Sequence, residues 1–289
     1  ADTTKVDQLS HLKTNKPGFL MKIALDVLGG DLAPMINIEG AIDYLHEGGD
    51  VAAELILIGD EKVINSALQP YTYNNSKVQV FHTTEVVGMH EKPSRIFKEK
   101  PDSSLVKSIQ LVKDGKANAA VSAGNTGALL TSSLFLIGKI PGIRRPAFAP
   151  FIPTSKGGFI LCDAGANADS KPLHLVQFAL MAGAYMEHLE NRPNPRVALL
   201  NIGSEENKGN ELTYETNQLL RKLDGPNLNY CGMIEGLQVF ENSVDVIVCD
   251  GFTGNILLKT CEGLFDMIQN FLKEEINKDP IRLAGAILA

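Results

Sequence analysis

VSAGNTGALL, residues 121–130, leads a small apolar run (Ala119, Ala120, Val121) through Ser122, Gly124, Asn125, Thr126 and Gly127 into a helix-like pattern from Ala128. A buried strand that becomes a helix through glycines reads as the βα turn of a parallel sheet. Glycine lets such a turn fold tightly, and the backbone N–H groups at the following helix start can hold an anion. Two readings stay open from the residues alone. One is a close-packed turn with a helix cap; the other is an anion cradle to which Ser122, Asn125 and Thr126 add side-chain donors.

The same strand–turn–helix grammar recurs outward from this stretch. MKIALD (21–26), ELILIGD (54–60), VQVFH (78–82), NAAVSAG, GFILCDAGAN, RVALLNIG, LNYCGMI and VDVIVCDG read as strands. Helical spacing follows at about 35–46, from about 61, within DSSLVKSIQLVKDG with a cap at Asp102 or Ser103, after NAAVSAG, at about 172–189, at about 208–223 and at about 254–273. Most of the strands are unbroken apolar runs, which suits burial on both faces. The expectation is therefore an α/β fold: a Rossmann-like, largely parallel sheet with helices on both faces. Residues 1–20 read as a polar extension and 21–289 as one α/β domain. The Pro- and Gly-rich stretch from Lys139 to Gly158 is the best place for a subdomain edge.

Composition narrows the function. With 289 residues and 44% apolar content the chain can bury a substantial core. A formal net charge of −7 argues against general nucleic-acid binding, which needs a basic face. Cys162, Cys231, Cys249 and Cys261 show no metal-ligand spacing and read as reduced thiols of a cytoplasmic protein. No run reaches transmembrane length.

Five strand ends carry small or polar clusters: DVLGGD (26–31), SAGNTG (122–127), DAGAN (163–167), NIGSEENKGNE (201–211) and DGFTGN (250–255). In one parallel sheet all five would share the carboxyl edge, where ligands bind in such folds. GxxxxGK[ST], GxGxxG, GxSxG and HExxH are all missing. Anion-binding turns without a standard protein nucleophile point to a substrate that supplies its own. No metal and no cofactor is expected.

DVLGGDLAP, SAGNTGALL, DAGANADSKPLHLVQFA, LLNIGSEENKGNEL and CDGFTGNILLKTCEG, in order from about Met21 to Phe271, closely resemble the PlsX family of bacterial phosphate acyltransferases. The resemblance implies transfer of a long-chain fatty acyl group from acyl carrier protein to inorganic phosphate, giving acyl phosphate for phospholipid synthesis. It also implies a fold similar to phosphotransacetylase and isocitrate-dehydrogenase-like proteins, and a homodimer. It further implies peripheral contact with the inner face of the membrane and a glycerol-3-phosphate acyltransferase downstream. The family's pattern lacks the extension before Met21 and continues for tens of residues, including a glycine-rich segment and a final helix, beyond AGAILA.

The resemblance points to Lys208 and to Asn255 as catalytic. At a strand top, Lys208 can neutralise phosphate and developing charge; its bland reading is a solvated lysine at a helix start. Asn255 can donate to a thioester carbonyl, or cap a helix after Gly254. Ser122, Gly124, Asn125, Thr126, Gly127, Asp163, Asn167, Asn210 and Asp250 are the candidates for holding phosphate and thioester. Asp26, Asp163 and Asp250 read either as orienting groups or as caps. His174 fits a buried structural histidine better than a general base, and His90 reads as solvent-exposed.

Lys139, Arg144, Arg145 and Lys156 read either as a docking patch for an acidic carrier protein or as an ordinary solvated loop. Phe148, Phe151 and Ile152 line an acyl groove or belong to the core. IRLAGAILA reads as a membrane-touching face or the start of a core helix. The competing readings are a phosphotransacetylase-like enzyme using a small acyl-CoA, a carrier-binding scaffold without turnover, and a nicotinamide dehydrogenase.

Overall fold

Period-two alternation of apolar side chains lets each central strand feed two cores at once. In the computed structural model, which describes residues 21–48, 53–226 and 228–278, this happens in two separate sheets. The polar extension 1–20 and the segment 279–289, with IRLAGAILA, lie outside the described residues.

The chain divides into two compact units, Ala1–Gly138 and Lys139–Ala289, at the start of the Pro- and Gly-rich stretch. In unit 1 the elements are β1 (Lys22–Asp26), α1 (Met35–Gly48), β2 (Glu54–Gly59), α2 (Glu61–Leu68), β3 (Val78–His82), α3 (Ile96–Glu99), α4 (Ser104–Lys113), β4 (Ala119–Ser122) and α5 (Thr126–Leu136). The sheet order is β3-β2-β1-β4, all parallel. On β2, Leu55 and Leu57 face α1 and α2 with Ile38, Ile42 and Ile64, while Ile56 and Ile58 pack with Ala24, Leu111 and Ala117 on the other side. The start of α4 is set by Ser103, whose Oγ accepts from the Val106 N–H at 3.4 Å.

Unit 2 holds β5 (Phe151–Thr154), β6 (Gly157–Cys162), α6 (Pro172–Leu189), β7 (Arg196–Leu200), α7 (Glu211–Leu223), β8 (Asn229–Ile234), β9 (Val246–Val248) and α8 (Gly251–Asn277). The order is β5-β6-β9-β7-β8. All pairs are parallel except β5–β6, which form an antiparallel hairpin. Ile160, Cys162, Val197, Leu199, Val246 and Val248 pack under α6 against Phe178, Ala179 and Met186. Phe159, Leu161, Ala198, Leu200 and Ile247 fill the opposite layer. Phe148 and Ile152 pack on that second layer and Phe151 on the first, so all three belong to the core.

The four cysteines are free thiols. Cys162 and Cys249 are buried, and burial pushes both thiols well up; Cys231 lies exposed on the edge strand β8.

The five clusters therefore divide between two sheets. DVLGGD and SAGNTG follow β1 and β4 of the first sheet, while DAGAN, NIGSEENKGNE and DGFTGN follow β6, β7 and β9 of the second. The apolar runs are equally strand-like in both, so they carried no mark of where one sheet stops.

Candidate functional site

In unit 1, β1 and β4 are adjacent and parallel with Asp26 opposite Ser122. Ser122 Oγ donates to Asp26 Oδ2 at 2.7 Å and accepts from the Gly124 N–H at 3.1 Å. The two turns touch so closely that a Cβ on Gly29 would sit 2.5 Å from Asp26 Oδ2 and 2.9 Å from the Gly124 nitrogen. Asn125 caps α5: its Oδ1 accepts from the Ala128 N–H at 3.0 Å. Its amide nitrogen donates to the carbonyls of Gly88, Met89 and Glu91 at 3.3, 3.0 and 3.0 Å. Ser122 and Asn125 thus build the turn instead of offering free donors. What remains open at the helix start are the N–H groups of Thr126 and Gly127 and the exposed Thr126 hydroxyl, none with a partner among the described residues. The opening stretch of sequence is both a packed turn and a place where N–H groups point outward.

In unit 2 the clusters follow neighbouring strands, β6, β9 and β7, so their loops stand side by side, about 4.8 Å per strand. Asp163 is fully buried. Its Oδ1 accepts from the N–H groups of Phe148, Gly165 and Ala166, and its Oδ2 from the N–H and side-chain amide of Asn167, all within 3.2 Å. Asn167 also donates to the Pro146 carbonyl at 2.8 Å, and its own carbonyl accepts from the Gly251 N–H at 2.9 Å. Asp163 and Asn167 therefore fold the DAGAN loop and fasten the start of α8 to it.

Asp250 is the α8 cap, accepting from the Thr253 N–H at 3.0 Å and hydroxyl at 2.7 Å. Helix α8 begins at Gly251, so Asn255 lies in its first turns and not at a cap after Gly254. Asn255 is exposed, with no partner for its amide among the described residues, and leans on Gly165, where a Cβ would come within 3.2 Å of its Oδ1.

The loop after β7 is organised by a residue the sequence reading passed over. Asn201, buried, donates its amide to the carbonyls of Gly203 and Lys208 at 2.9 and 3.0 Å. Gly209 has φ +102°, and a Cβ there would overlap Asn201 Oδ1 and Thr213 Oγ1. The signal was present in LLNIG, a lone amide ending an apolar strand. Helix α7 starts at Glu211 with Asn210 as its cap, bound reciprocally to Thr213. Lys208 therefore sits in the loop ahead of the helix and not at its start. Its backbone is pinned, its stem packs on Gly203, and its ammonium meets no carboxylate among the described residues.

The basic loop lies beside this edge. Gln177 of α6 accepts from the Arg144 N–H at 2.8 Å and donates to the Gly142 carbonyl at 2.8 Å. Lys139 Nζ donates to the Arg144 carbonyl at 3.0 Å. His174 is buried and takes the Lys171 N–H on Nδ1 at 3.2 Å. Burial, then Arg145, Arg144 and Lys171, hold its imidazole below the ordinary histidine range. Lys171 thus joins Arg144 and Arg145, a grouping that sequence distance concealed. Lys156 lies just before the start of β6, roughly 20 Å along the strand from its carboxyl end. It is not part of that group. His90 is exposed. Among the described residues no cluster of His, Cys, Asp or Glu is placed to hold a metal ion, and no helix is long and apolar enough to cross a membrane.

Residues 21–289 match the model of the family described as "Fatty acid synthesis protein". Proteins called phosphate acyltransferase are similar along most of the chain. The one from Dictyoglomus turgidum is 47% identical over 257 residues, 89% of this chain and 75% of its own length. That from Halothermothrix orenii is 45% identical over 269 residues, 93% and 80%. Among solved structures, a phosphotransacetylase from Streptococcus pyogenes overlays with a TM-score of 0.63 at 19% identity, covering 90% of this chain and 86% of that one. The EutD phosphotransacetylase from Staphylococcus aureus gives 0.62 at 18%, covering 90% and 87%. At those identities the likeness shows the fold alone, a parallel α/β architecture flanked by helices. The match along 21–289 and the close relatives show that the chain belongs to the fatty acid synthesis protein family, the PlsX family of phosphate acyltransferases.

Proposed function

We propose that this chain transfers a long-chain fatty acyl group from acyl carrier protein to inorganic phosphate. A phosphate oxygen attacks the thioester carbonyl, the tetrahedral oxyanion collapses, the carbon–sulfur bond breaks and the carrier leaves as a thiolate that takes a proton. Phosphate is its own nucleophile, so the protein's work is positioning and charge stabilisation. Positioning can contribute about 7–11 kcal/mol of barrier, and a single oxyanion donor about 3–4 kcal/mol.

The observation that carries this reading is the division of labour at the unit 2 edge. Asp163, Asn167, Asn201, Asn210 and Asp250 spend their hydrogen bonds on loops and caps, which leaves the Lys208 ammonium and the Asn255 amide without a partner among the described residues. Lys208 neutralises the phosphate and the developing charge, while Asn255 donates to the thioester oxygen. In unit 1, the N–H groups of Thr126 and Gly127, without partners among the described residues, form an anion-binding turn of that unit, which Gly124 and Ser122 shape. Arg144, Arg145 and Lys171 are exposed cations of unit 2 and one candidate surface for the acidic carrier. A cytoplasmic homodimer, peripheral at the inner membrane face and passing acyl phosphate to a glycerol-3-phosphate acyltransferase, completes the proposal.

The test is acyl phosphate formation from palmitoyl carrier protein and phosphate, with palmitoyl-CoA as a second donor. Lys208→Ala and Asn255→Ala are each expected to lower kcat about 10²–10³-fold while the protein stays folded. Full activity in both variants would sink the assignment. Turnover with palmitoyl-CoA alone would move the reading to a CoA-dependent transferase.

A further inference from the structure

Unit 1 carries an exposed surface that the chemistry above does not use. Phe97 of α3 and Phe135 of α5 stack with ring centroids 4.4 Å apart and planes 15° apart, yet Phe135 is 60% exposed. Lys98 Nζ lies 5.5 Å from the Phe97 ring centre, the geometry of a cation held over an aromatic face. Ser94, Arg95, Phe97, Lys98, Glu99 and Phe135 line a groove of about 450 Å³.

The charges around it are unbalanced. In a chain of net charge −7, Lys92, Arg95 and Lys98 are all exposed, and none meets a carboxylate within 4.0 Å among the described residues. Lys100 differs: it is paired with Glu91 at 2.6 Å and donates to the Val86 carbonyl, so it serves the local fold. Along residues 92–99 one exposed acid, Glu99, stands against these three cations, of which Arg95 and Lys98 line the groove.

The surface is fastened to the candidate anion turn. Asn125 ties the 88–91 loop to the start of α5 with three hydrogen bonds. Pro93 packs on Gly127, where a Cβ would come within 2.9 Å of its Cγ. The strip from Lys92 to Lys98 thus follows α5 from its N-terminal turn to Phe135, about 15 Å for an 11-residue helix.

We infer that the groove of Phe97 and Phe135, lined by Arg95 and Lys98 with Lys92 earlier on the same strip, is a docking surface for an acidic carrier protein. This rests on the acyl-transfer reading. Charge complementarity names the partner: free cations around a concave apolar seat fit an acidic protein surface with one apolar side chain inserted. Such cations act mainly on encounter and orientation.

The experiment measures binding of purified acyl carrier protein by calorimetry, at low and at 0.5 M salt. It compares wild type, the triple variant Lys92→Glu, Arg95→Glu, Lys98→Glu, the milder Phe135→Ser, and Arg144→Glu with Arg145→Glu. Circular dichroism establishes that each is folded. Salt-sensitive wild-type binding that weakens about tenfold or more in the triple variant, and measurably in Phe135→Ser, is the expected result. Unchanged affinity in the triple variant, no wild-type binding, or loss confined to the Arg144 and Arg145 variant overturns the inference. So does loss of sedimentation with phosphatidylglycerol vesicles while carrier binding persists, which would assign the surface to a membrane. A wild type that binds carrier but forms no acyl phosphate ends the functional reading and leaves the surface standing.

Discussion

Asp163 and Lys208 show how differently two charged residues of one edge are used. The Asp163 carboxylate is sealed from water and accepts five hydrogen bonds from nitrogen donors of the 146–167 region. A buried acceptor facing converging N–H groups cannot become a donor without leaving some unpaired, at about 1–3 kcal/mol each. Asp163→Asn is accordingly expected to lose about 2–4 kcal/mol in urea denaturation, whereas Lys208→Met, at an exposed site, should leave the midpoint nearly unchanged. Equal stability of Asp163→Asn and wild type would show that the loop does not depend on this carboxylate. The sequence marked both residues at strand ends; it did not show which was the architect and which was left free. That distinction depends on where the neighbouring N–H groups point.

Helix α8 is held to the DAGAN loop by contact that only glycine allows. A Cβ on Gly251 would lie 2.6 Å from the Asn167 carbonyl oxygen, and one on Gly254 would overlap the carbonyl oxygen of Asp163. Gly254→Ala must therefore push the first turn of α8 outward and carry Asn255 with it. Overpacking of this kind costs about 1–3 kcal/mol, and a displacement near 1 Å can cost about 10²-fold in rate. The expected outcome is a lower melting temperature together with a loss of acyl transfer as large as that of Asn255→Ala. A variant destabilised but fully active would show that the position of Asn255 does not matter. Further along, the helix carries Leu264, Phe265, Met267, Ile268, Phe271 and Leu272 on exposed positions.

At the scale of the molecule, His174 gives unit 2 a pH dependence whose sign follows from its surroundings. Burial first, then Arg145, Arg144 and Lys171, lower its value in the folded state below the ordinary 6.5; Asp169 opposes them weakly. Between the two values the unfolded chain binds more protons than the folded one, so stability falls as pH drops below about 6.5 and levels off beneath the folded value. His174→Asn keeps an acceptor for the Lys171 N–H and removes the titration. Its melting temperature should fall less between pH 7.5 and 5.5 than that of wild type. An equal fall in both would assign the acid sensitivity to another group; Asp245, ionised in both states over this window, is not one. Burial opposes ionisation of that carboxyl, but hydrogen bonds from Arg196 and Arg192 hold it low.

By itself the sequence determined the alternation of strands and helices, the parallel α/β class, the glycine turns at the strand ends and the family. Each of these is written in local periodicity or in contiguous motifs such as SAGNTG and DAGAN. Helix α6 runs over Pro172–Leu189, the bounds its apolar spacing and Pro172 predict. The tertiary structure decided what local pattern cannot encode. It divided the strands into sheets of four and five, because an apolar run buries equally well in either. It placed Arg144, Arg145 and Lys171 around His174, and Phe97 against Phe135, across sequence gaps that periodicity does not span. It also sorted the polar residues of the site. Asn125, Asn167 and Asp163 turn inward because buried N–H and C=O groups demand partners, while Lys208 and Asn255 stay exposed, without side-chain partners among the described residues.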